Sequence, residues 1–401
     1  MSIVVQKFGG TSVATPDGRR RAAERVIQAL SEGVAPVVVL SAMGRAPAPY
    51  ATDSLLALVA EFRECRNPRE LDMLMACGEI ISCVVFSHYL RSLGYPSQAF
   101  DAYRAGILTS DDPGEARILT VEPARIHESL RKGEIPVVAG FQGVDGNLSI
   151  TTLGRGGSDT TAVALGAALR ASYVEIYTDV DGVMTTDPRI YPQARVLSEV
   201  TFQELGELAE EGAKVVHPRA VALASEYDVT VWIRNTFSDA YGTLLSRITP
   251  KAAFEKVRVV SGVAHVVGLS YFAVDGAPGA DSKARADIFR EIAVAGIPLD
   301  LINVCGRGLY FIVRSEREPA TREVLERLGH PFQVRSGCAK VSVIGAGMRG
   351  TPGVMSRVMG ALVRGGVEVL HSTDSHITIS CLIPEEQLRS AVAAVHDEFQ
   401  L

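Results

Sequence analysis

"SIVVQKFGGTS", Ser2 to Ser12, opens on a Val- and Ile-rich run and passes through a lysine and a phenylalanine into two glycines and two hydroxyls. A strand that ends in such a loop suits an anion, because glycines let backbone N–H groups approach phosphate oxygens closely. The order is not that of a P-loop, where the lysine follows the glycines and directly precedes Ser or Thr. Two readings fit the stretch alone. One is a Gly-rich turn beside a solvated lysine; the other makes Lys7 a point charge for a transferring phosphoryl group, beside the N–H groups of Gly9 and Gly10.

Working outward, Ile3–Gln6, Val37–Leu40, Ile135–Ala139, Val174–Thr178 and Val229–Ile233 read as buried strands. Helical patterns lie between them, at Gly18–Ser31, Asp72–Leu93 and Ser158–Leu169. This alternation predicts an α/β domain over the first 235 or so residues, a three-layer α/β/α sandwich with a mostly parallel sheet. Ligands of such sheets gather at the carboxyl ends of strands. Lys7, Ser41, Gly140 and Thr178 each follow a strand, so their loops are expected at one rim.

At 401 residues the chain suggests two or three domains. Hydrophobic residues make up 47% and charged residues 21%, as in a folded soluble protein. A net charge of −6 gives no footprint for nucleic acid or an anionic membrane. No apolar run reaches the ~18 residues of a membrane span, and the opening residues lack the basic, apolar and small-residue order expected of a secretory signal. Six scattered cysteines without a CxxC pair read as reduced thiols of a cytoplasmic protein.

After Thr236 the pattern changes, with a join expected near Leu245–Lys256. "IFREIAVAGIPLDLI" (Ile288–Ile302) then aligns with "VMGALVRGGVEVLHS" (Val358–Ser372), each a helix, a Gly-containing turn and a strand. Val259–His265 and Lys340–Ile344 precede them as strands, and Leu309–Val313 and Ile377–Ile383 follow. Two βαββαβ units in succession are predicted.

"TTLGRGGSDTTAVALGAALR" (Thr151–Arg170) places Ser158 or Asp159 as the cap of a helix apolar almost all round, hence buried. Its N-terminus favours an anion, Gly154, Gly156 and Gly157 keep the approach clear, and Arg155 offers a planar fork for a carboxylate or phosphate. "YTDVDGVMTTDPRIYP" (Tyr177–Pro192) is a nucleotide-holding loop or a surface turn; it lacks the ligand pattern of a calcium loop. "VSVIGAGMRG" (Val341–Gly350) mimics a dinucleotide fingerprint. Only about 50 residues follow it, too few for such a domain, so a tight turn is expected. The eight histidines form no metal or acid–base cluster. His217 in "GAKVVHPRA" reads as structural, with Lys214 the more interesting neighbour. Glu79 in "MACGEIIS" is either a helix-surface carboxylate or a partner for an ammonium group.

Taken in order, "VVQKFGGTSV", "VVLSAMG", "ATDSLL", "CGEIIS", "AGFQGV", "TTLGRGGSDTTAVALGAAL", "YTDVDGV", "DPR" and "GAKVVHPRA", then the paired repeat, resemble the aspartate kinases of the amino-acid kinase superfamily with C-terminal ACT domains. The resemblance spans essentially the whole chain. It implies an amino-acid kinase fold over residues 1–248, a linker and first ACT domain over 249–337 and a second over 338–401. It implies ATP and L-aspartate as substrates, with Mg2+ held mainly by the nucleotide phosphates and no protein metal site. Lys7, Phe8, Gly9, Gly10, Ser41, Thr178, Asp179, Lys214 and the run Val183, Met184, Thr185, Thr186, Asp187, Pro188 and Arg189 would line the nucleotide side. Thr52, Glu79, Arg155, Gly156, Gly157 and Ser158 would hold aspartate, Arg155 on the α-carboxylate and Glu79 on the ammonium. Lys7, Arg155 and Asp159 would be catalytic, with Asp159 orienting Lys7. A homodimer through the ACT domains and an amino-acid effector there are also implied. "LINVCGRGLYF" and "STDSHITIS" (Ser372–Ser380) look like the diaminopimelate-sensitive aspartokinases of spore-forming bacteria. Another amino-acid kinase, or a sensor with an inactive kinase domain, are the rival readings. The presence of Lys7, Arg155 and Asp159 speaks against the second.

Overall fold

The computed structural model describes residues 2–213, 215–247, 258–275, 282–305 and 308–401. They form two compact units. The first comprises Met1–Val183, Val196–Ala209 and Lys214–Glu255; the second comprises Met184–Arg195, Glu210–Ala213 and Lys256–Leu401.

The first unit is built on an eight-stranded sheet. Its spatial order is Glu199–Thr201, Thr243–Ser246, Val231–Asn235, Tyr173–Thr178, Ile3–Phe8, Ala35–Leu40, Ile135–Ala139 and Ser97–Phe100. The central pairings are parallel, and only the step from Val231–Asn235 to Thr243–Ser246 is antiparallel. Ile3–Phe8 therefore lies at the heart of the sheet. The chain leaves it toward Ala35–Leu40 on one side, whereas Tyr173–Thr178 and Val231–Asn235 lie on the other. Loops leaving the two middle strands diverge, which opens a crevice at their carboxyl ends.

Side chains alternate across a strand, so consecutive residues serve opposite layers. Phe8, Val38 and Leu40 pack with Ala22, Val26, Cys83, Phe86 and Leu90. Those partners come from the helices Pro16–Ser31 and Pro68–Ser92. Each helix begins with proline at its first position behind a polar cap: Thr15 Oγ1 accepts from Gly18 N–H, and Asn67 Oδ1 from Arg69 N–H. Lys7 faces the other layer, where the helix Gly157–Ala168 is buried along most of its length. The sandwich expected from the strand–helix alternation is present.

Pro68–Ser92 is long and apolar enough, by composition, to cross a bilayer. It carries Asp72, Glu79, Ser82 and Ser87 into the protein interior beside Phe86 and Leu90. This is a core helix with a polar purpose. A smaller four-stranded sheet, in the order Ile118–Val121, Ile107–Thr109, Gln142–Val144 and Ile150–Thr152, leads the chain into Leu153.

The second unit is a six-stranded sheet in the order Asp300–Cys305, Gly308–Arg314, Gly262–Asp275, Phe332–Ile344, Thr378–Pro384 and His371–Asp374. One half packs Phe272, Val274 and Phe311 against the helices Ser282–Val294 and Glu318–Leu328. The other packs Val341, Val343 and Ile383 against Val354–Arg364 and Leu388–Phe399. Only the first half is a contiguous βαββαβ unit, running from Leu269 to Cys338. The two long strands each run through both halves: Gly262–Val266 pairs with Lys340–Ile344, and Leu269–Val274 pairs with the Phe332–Cys338 part. The leading strand of the first half is thus Leu269–Asp275, not Val259–His265. Gly262–Val266 instead supplies the fourth strand of the second half, which ends on a helix. Register shifts near Leu269, where Gly268 takes a φ of +70°, mark the handover. The dinucleotide-like glycines serve the same unit. A Cβ on Gly345 would lie 2.2 Å from the Val259 carbonyl oxygen, and one on Gly347 2.4 Å from that of Arg258.

Phe8 carries the sheet-to-helix packing of the first unit. It is fully buried and stacked on Tyr177 at 4.8 Å. Phe8→Ala is expected to cost about 3–5 kcal/mol in urea unfolding of that unit, and a loss under about 1 kcal/mol would contradict the packing described.

Candidate active site

At the end of the central strand, Lys7 Nζ lies 2.7 Å from Asp159 Oδ1, in the first turn of Gly157–Ala168. Both side chains are nearly buried, 12% and 11% exposed. The two form an ion pair. The Gly9 N–H donates to the Tyr177 carbonyl at 3.2 Å, which ties the loop to the neighbouring strand. A Cβ on Gly10 would fall 2.5 Å from the Ala42 carbonyl oxygen and 2.8 Å from that of Gly44. Gly10 is therefore demanded by the close approach of the two loops, sealed by Gly44 N–H donating to the Gly10 carbonyl. The ring of Phe8, expected on the nucleotide side, is turned into the opposite layer.

Ser41 follows the next strand and is half-buried, its N–H donating to the Phe8 carbonyl. Ala42 N–H donates to Glu79 Oε1 at 3.1 Å, while Glu79 Oε2 is buried with no partner among the described residues. Burial pushes this carboxyl up to about 8, against the opposing pull of the Ala42 N–H. Glu79 is no helix-surface residue, being 3% exposed. A Cβ on the preceding Gly78 would meet Ala42 Cβ at 2.8 Å and the Tyr50 carbonyl at 3.0 Å. Thr52, half-buried at the start of the helix Thr52–Ala57, follows that contact directly. The loop from Ser41 to Thr52 is thereby laid over Glu79.

The third wall is Leu153–Gly157. Ser158 and Asp159 do not cap the helix that follows. Gly156 occupies the cap with φ +72°, and no side chain bonds there. Two glycines at Gly154 and Gly156 adopt the left-handed region, which a side chain at the cap would resist. No side chain competes for the first-turn N–H groups. Ser158 touches the loop after Ile135–Ala139, since a Cβ on Gly140 would lie 2.9 Å from Ser158 Cβ and Oγ. Arg155 is exposed and, among the described residues, has no ion-pair partner.

His217 belongs to this wall, which its motif did not reveal. A Cβ on Gly156 would sit 2.1 Å from His217 Cβ, and His217 Nδ1 accepts from Arg219 N–H to cap Pro218–Glu226. Burial lowers its pKa, against the opposing charge of Asp159.

Across the crevice, Thr178 Oγ1 donates to Asp179 Oδ1 at 3.2 Å, and Asp179 lies 3.7 Å from the Arg45 guanidinium. Asp181 braces the loop by accepting from Asn235 Nδ2 and Ser238 Oγ, which hold its carboxyl below the usual range. Val183 is buried, its N–H donating to Thr243 Oγ1. Met184, Thr185, Thr186, Asp187, Pro188 and Arg189 belong to the second unit. There Thr185 Oγ1 bonds the His396 ring at 3.0 Å, Thr186 is buried, and Arg189 forks onto Asp187. Lys214 lies outside the described residues.

A lysine paired with a carboxylate at the crevice of a mostly parallel sheet, beside a glycine-flanked helix N-terminus, is an arrangement suited to a phosphoryl group and is not a P-loop. Residues 2–235 match the amino acid kinase family, and residues 341–399 match an ACT domain. The chain is 42% identical to aspartokinase 1 of Bacillus subtilis over the full length of both proteins. It is 40% identical to the aspartokinase of Geobacillus stearothermophilus, over all of this chain and 98% of that one. Among solved structures, Escherichia coli aspartokinase III in complex with aspartate and ADP superimposes over all of both chains at a TM-score of 0.78 with 28% identity. The chain belongs to the amino acid kinase family and, within it, to the aspartokinases. It is an aspartate kinase, a phosphotransferase with a carboxyl group as acceptor.

Gly156→Ala forces a Cβ into His217 on a left-handed backbone. It is expected to lower kinase turnover by roughly a hundredfold while far-ultraviolet dichroism stays native. Full activity in a folded variant would contradict the cap geometry.

Proposed function

We propose that the chain converts ATP and L-aspartate to ADP and 4-phospho-L-aspartate. The observation that carries this reading is the Glu79 carboxyl, buried with one oxygen unpartnered, in the same pocket wall as the Ser41–Thr52 loop. A buried acceptor without a partner asks for a cation, and the ammonium of an amino acid is one. Arg155, without an ion pair among the described residues, grips the α-carboxylate with its planar fork. Thr52, Gly156, Gly157 and Ser158 complete the amino-acid side. Lys7 meets the transferring γ-phosphoryl, with Gly9, Gly10, Ser41, Thr178 and Asp179 on the nucleotide side. For Met184–Arg189 and Lys214 the family resemblance is the support.

The β-carboxylate of aspartate is ionised at pH 7 and needs no general base. One of its oxygens forms a bond to the γ-phosphorus as the bond to the β-phosphate oxygen breaks, and ADP leaves with the electron pair. Catalysis is then positioning and charge neutralisation, with Lys7 held ready by Asp159. A single carboxylate beside a phosphoryl path suits Mg2+, which coordinates mainly through nucleotide phosphates. The ion neutralises phosphate charge when bound.

The product would enter diaminopimelate, lysine, threonine and methionine biosynthesis in the cytoplasm. Residues 1–248 would carry catalysis, with 249–337 and 338–401 regulatory. "STDSHITIS" supports diaminopimelate as the effector. The edge strand Asp300–Cys305 exposes Ile302 and Val304, 51% and 48%. An open, apolar edge of this kind favours a homodimer through the ACT sheets.

ATP-dependent acyl-hydroxamate formation tests the reaction and the effector together. Activity with L-aspartate but not L-glutamate, lost on adding diaminopimelate, is expected. Inhibition by lysine or threonine alone would replace the effector, and no activity with aspartate would remove the reaction. Arg155→Lys is expected to raise the aspartate KM with little change in that for ATP, because a point charge cannot replace the fork. A flat aspartate KM would reassign the α-carboxylate. A further check uses pH. In the empty site Glu79 is protonated at pH 7, below its value of about 8, and must ionise to pair with an ammonium. Aspartate binding at pH 7 should therefore release close to one proton, seen by calorimetry as buffer-dependent heat that vanishes near pH 9. Heat independent of buffer at pH 7 would contradict the pairing.

A further inference from the structure

Among the described residues Arg155 has no ion-pair partner, so its place is set by the loop that carries it. The segments Gly114–Ala116 and Thr152–Leu153 run side by side just before it. Asp72, fully buried, accepts from Gly114 N–H at 3.0 Å, Thr152 N–H at 2.9 Å and Thr152 Oγ1 at 2.7 Å, and Ala116 N–H donates to the Thr152 carbonyl. One residue further on, Arg219 bridges the same two segments. Its Nη1 donates to the Leu153 carbonyl at 3.0 Å, and its Nη2 donates to Glu115 Oε2. The Glu115 carboxylate in turn lies against Gly154, where a Cβ would come within 3.0 Å of both its oxygens.

We propose that Arg219 and Glu115 are positioning residues for the amino-acid substrate, a clamp that fixes the Leu153–Gly157 loop and so places Arg155. The inference rests on the reading of Arg155 as the α-carboxylate ligand. It adds two residues that touch neither substrate. The clamp needs arginine: two different nitrogens of one planar group reach a carbonyl and a carboxylate, which a lysine cannot span. Arg219 and Glu115 are 48% and 65% exposed. An exposed ion pair contributes little to stability, so the effect of the clamp is geometric and its variants fold.

The experiment is steady-state kinetics on the full chain with Arg219→Ala, Arg219→Lys, Glu115→Gln, Arg155→Ala and the double variant R155A/R219A, each with a melting curve. Arg219→Ala and Arg219→Lys are expected to raise the aspartate KM roughly tenfold with the ATP KM and the melting temperature unchanged. Glu115→Gln, which keeps the Leu153 bond, is expected to do less. In the Arg155→Ala background, Arg219→Ala should add nothing, because its route to the substrate is gone. An unchanged aspartate KM in Arg219→Ala overturns the proposal. So does an equal rise in both backgrounds, or a general loss of stability and turnover with no KM split. If Arg155→Ala itself leaves the aspartate KM unchanged, the carboxylate reading fails first and takes the clamp with it.

Discussion

The pairing of Lys7 with Asp159 is the constraint on which the site depends. A nearly buried ammonium without a partner is costly. Asp159, at 2.7 Å, pairs with it and holds it at the end of the strand. The two residues come from parts of the chain 152 positions apart (159 − 7). They meet because the central strand ends where the buried helix Gly157–Ala168 begins. Side-chain alternation then decides the rest: Lys7 must face that helix, and Phe8 must face the opposite layer and stack on Tyr177. One turn of sequence thus serves chemistry on one side and the core on the other.

Around that pair the polar groups divide by what they lack. Asp72 and Asp181 have their bonds made within the protein and hold backbone in place. Among the described residues Glu79 and Arg155 are left incomplete, one buried with an unpartnered oxygen and one exposed without an ion pair. Incomplete groups of opposite charge at one rim are what an amino acid, carrying both charges, would satisfy. The glycines fit the same division. Gly10, Gly78 and Gly140 bring loops into van der Waals contact with no room for a Cβ, whereas Gly154 and Gly156 permit a left-handed turn into an uncapped helix.

Much of this was legible from residue order. Unbroken apolar runs such as Val37–Leu40 and Ile135–Ala139 can only be buried strands, and both lie inside observed strands. The lysine before the glycines was legible as a departure from the P-loop, and the motif series led from it to the family. What escaped were properties set by partners distant in sequence. Asp159 looks like a helix cap until Gly156 is seen to take that place. His217 reads as merely structural, and Arg219 draws no notice, until Gly156 and Leu153 are found against them. The repeat at an offset of 70 (358 − 288) was visible. The second copy, however, does not close on itself: its fourth strand, Gly262–Val266, comes from ahead of the first copy, because two long strands pass through both halves of the six-stranded sheet. Periodicity reports which face a residue takes, and it is silent on which neighbour a strand pairs with.

The most direct test of the Lys7–Asp159 unit is a double-mutant cycle on kcat with Lys7→Ala, Asp159→Ala and the double variant, at saturating ATP and aspartate. If Asp159 acts by holding Lys7, each single variant and the double variant lose turnover by about the same large factor, because residues that work as one unit are not additive. Losses that multiply in the double variant would mean that the two residues act separately, and would contradict the central role given to their contact.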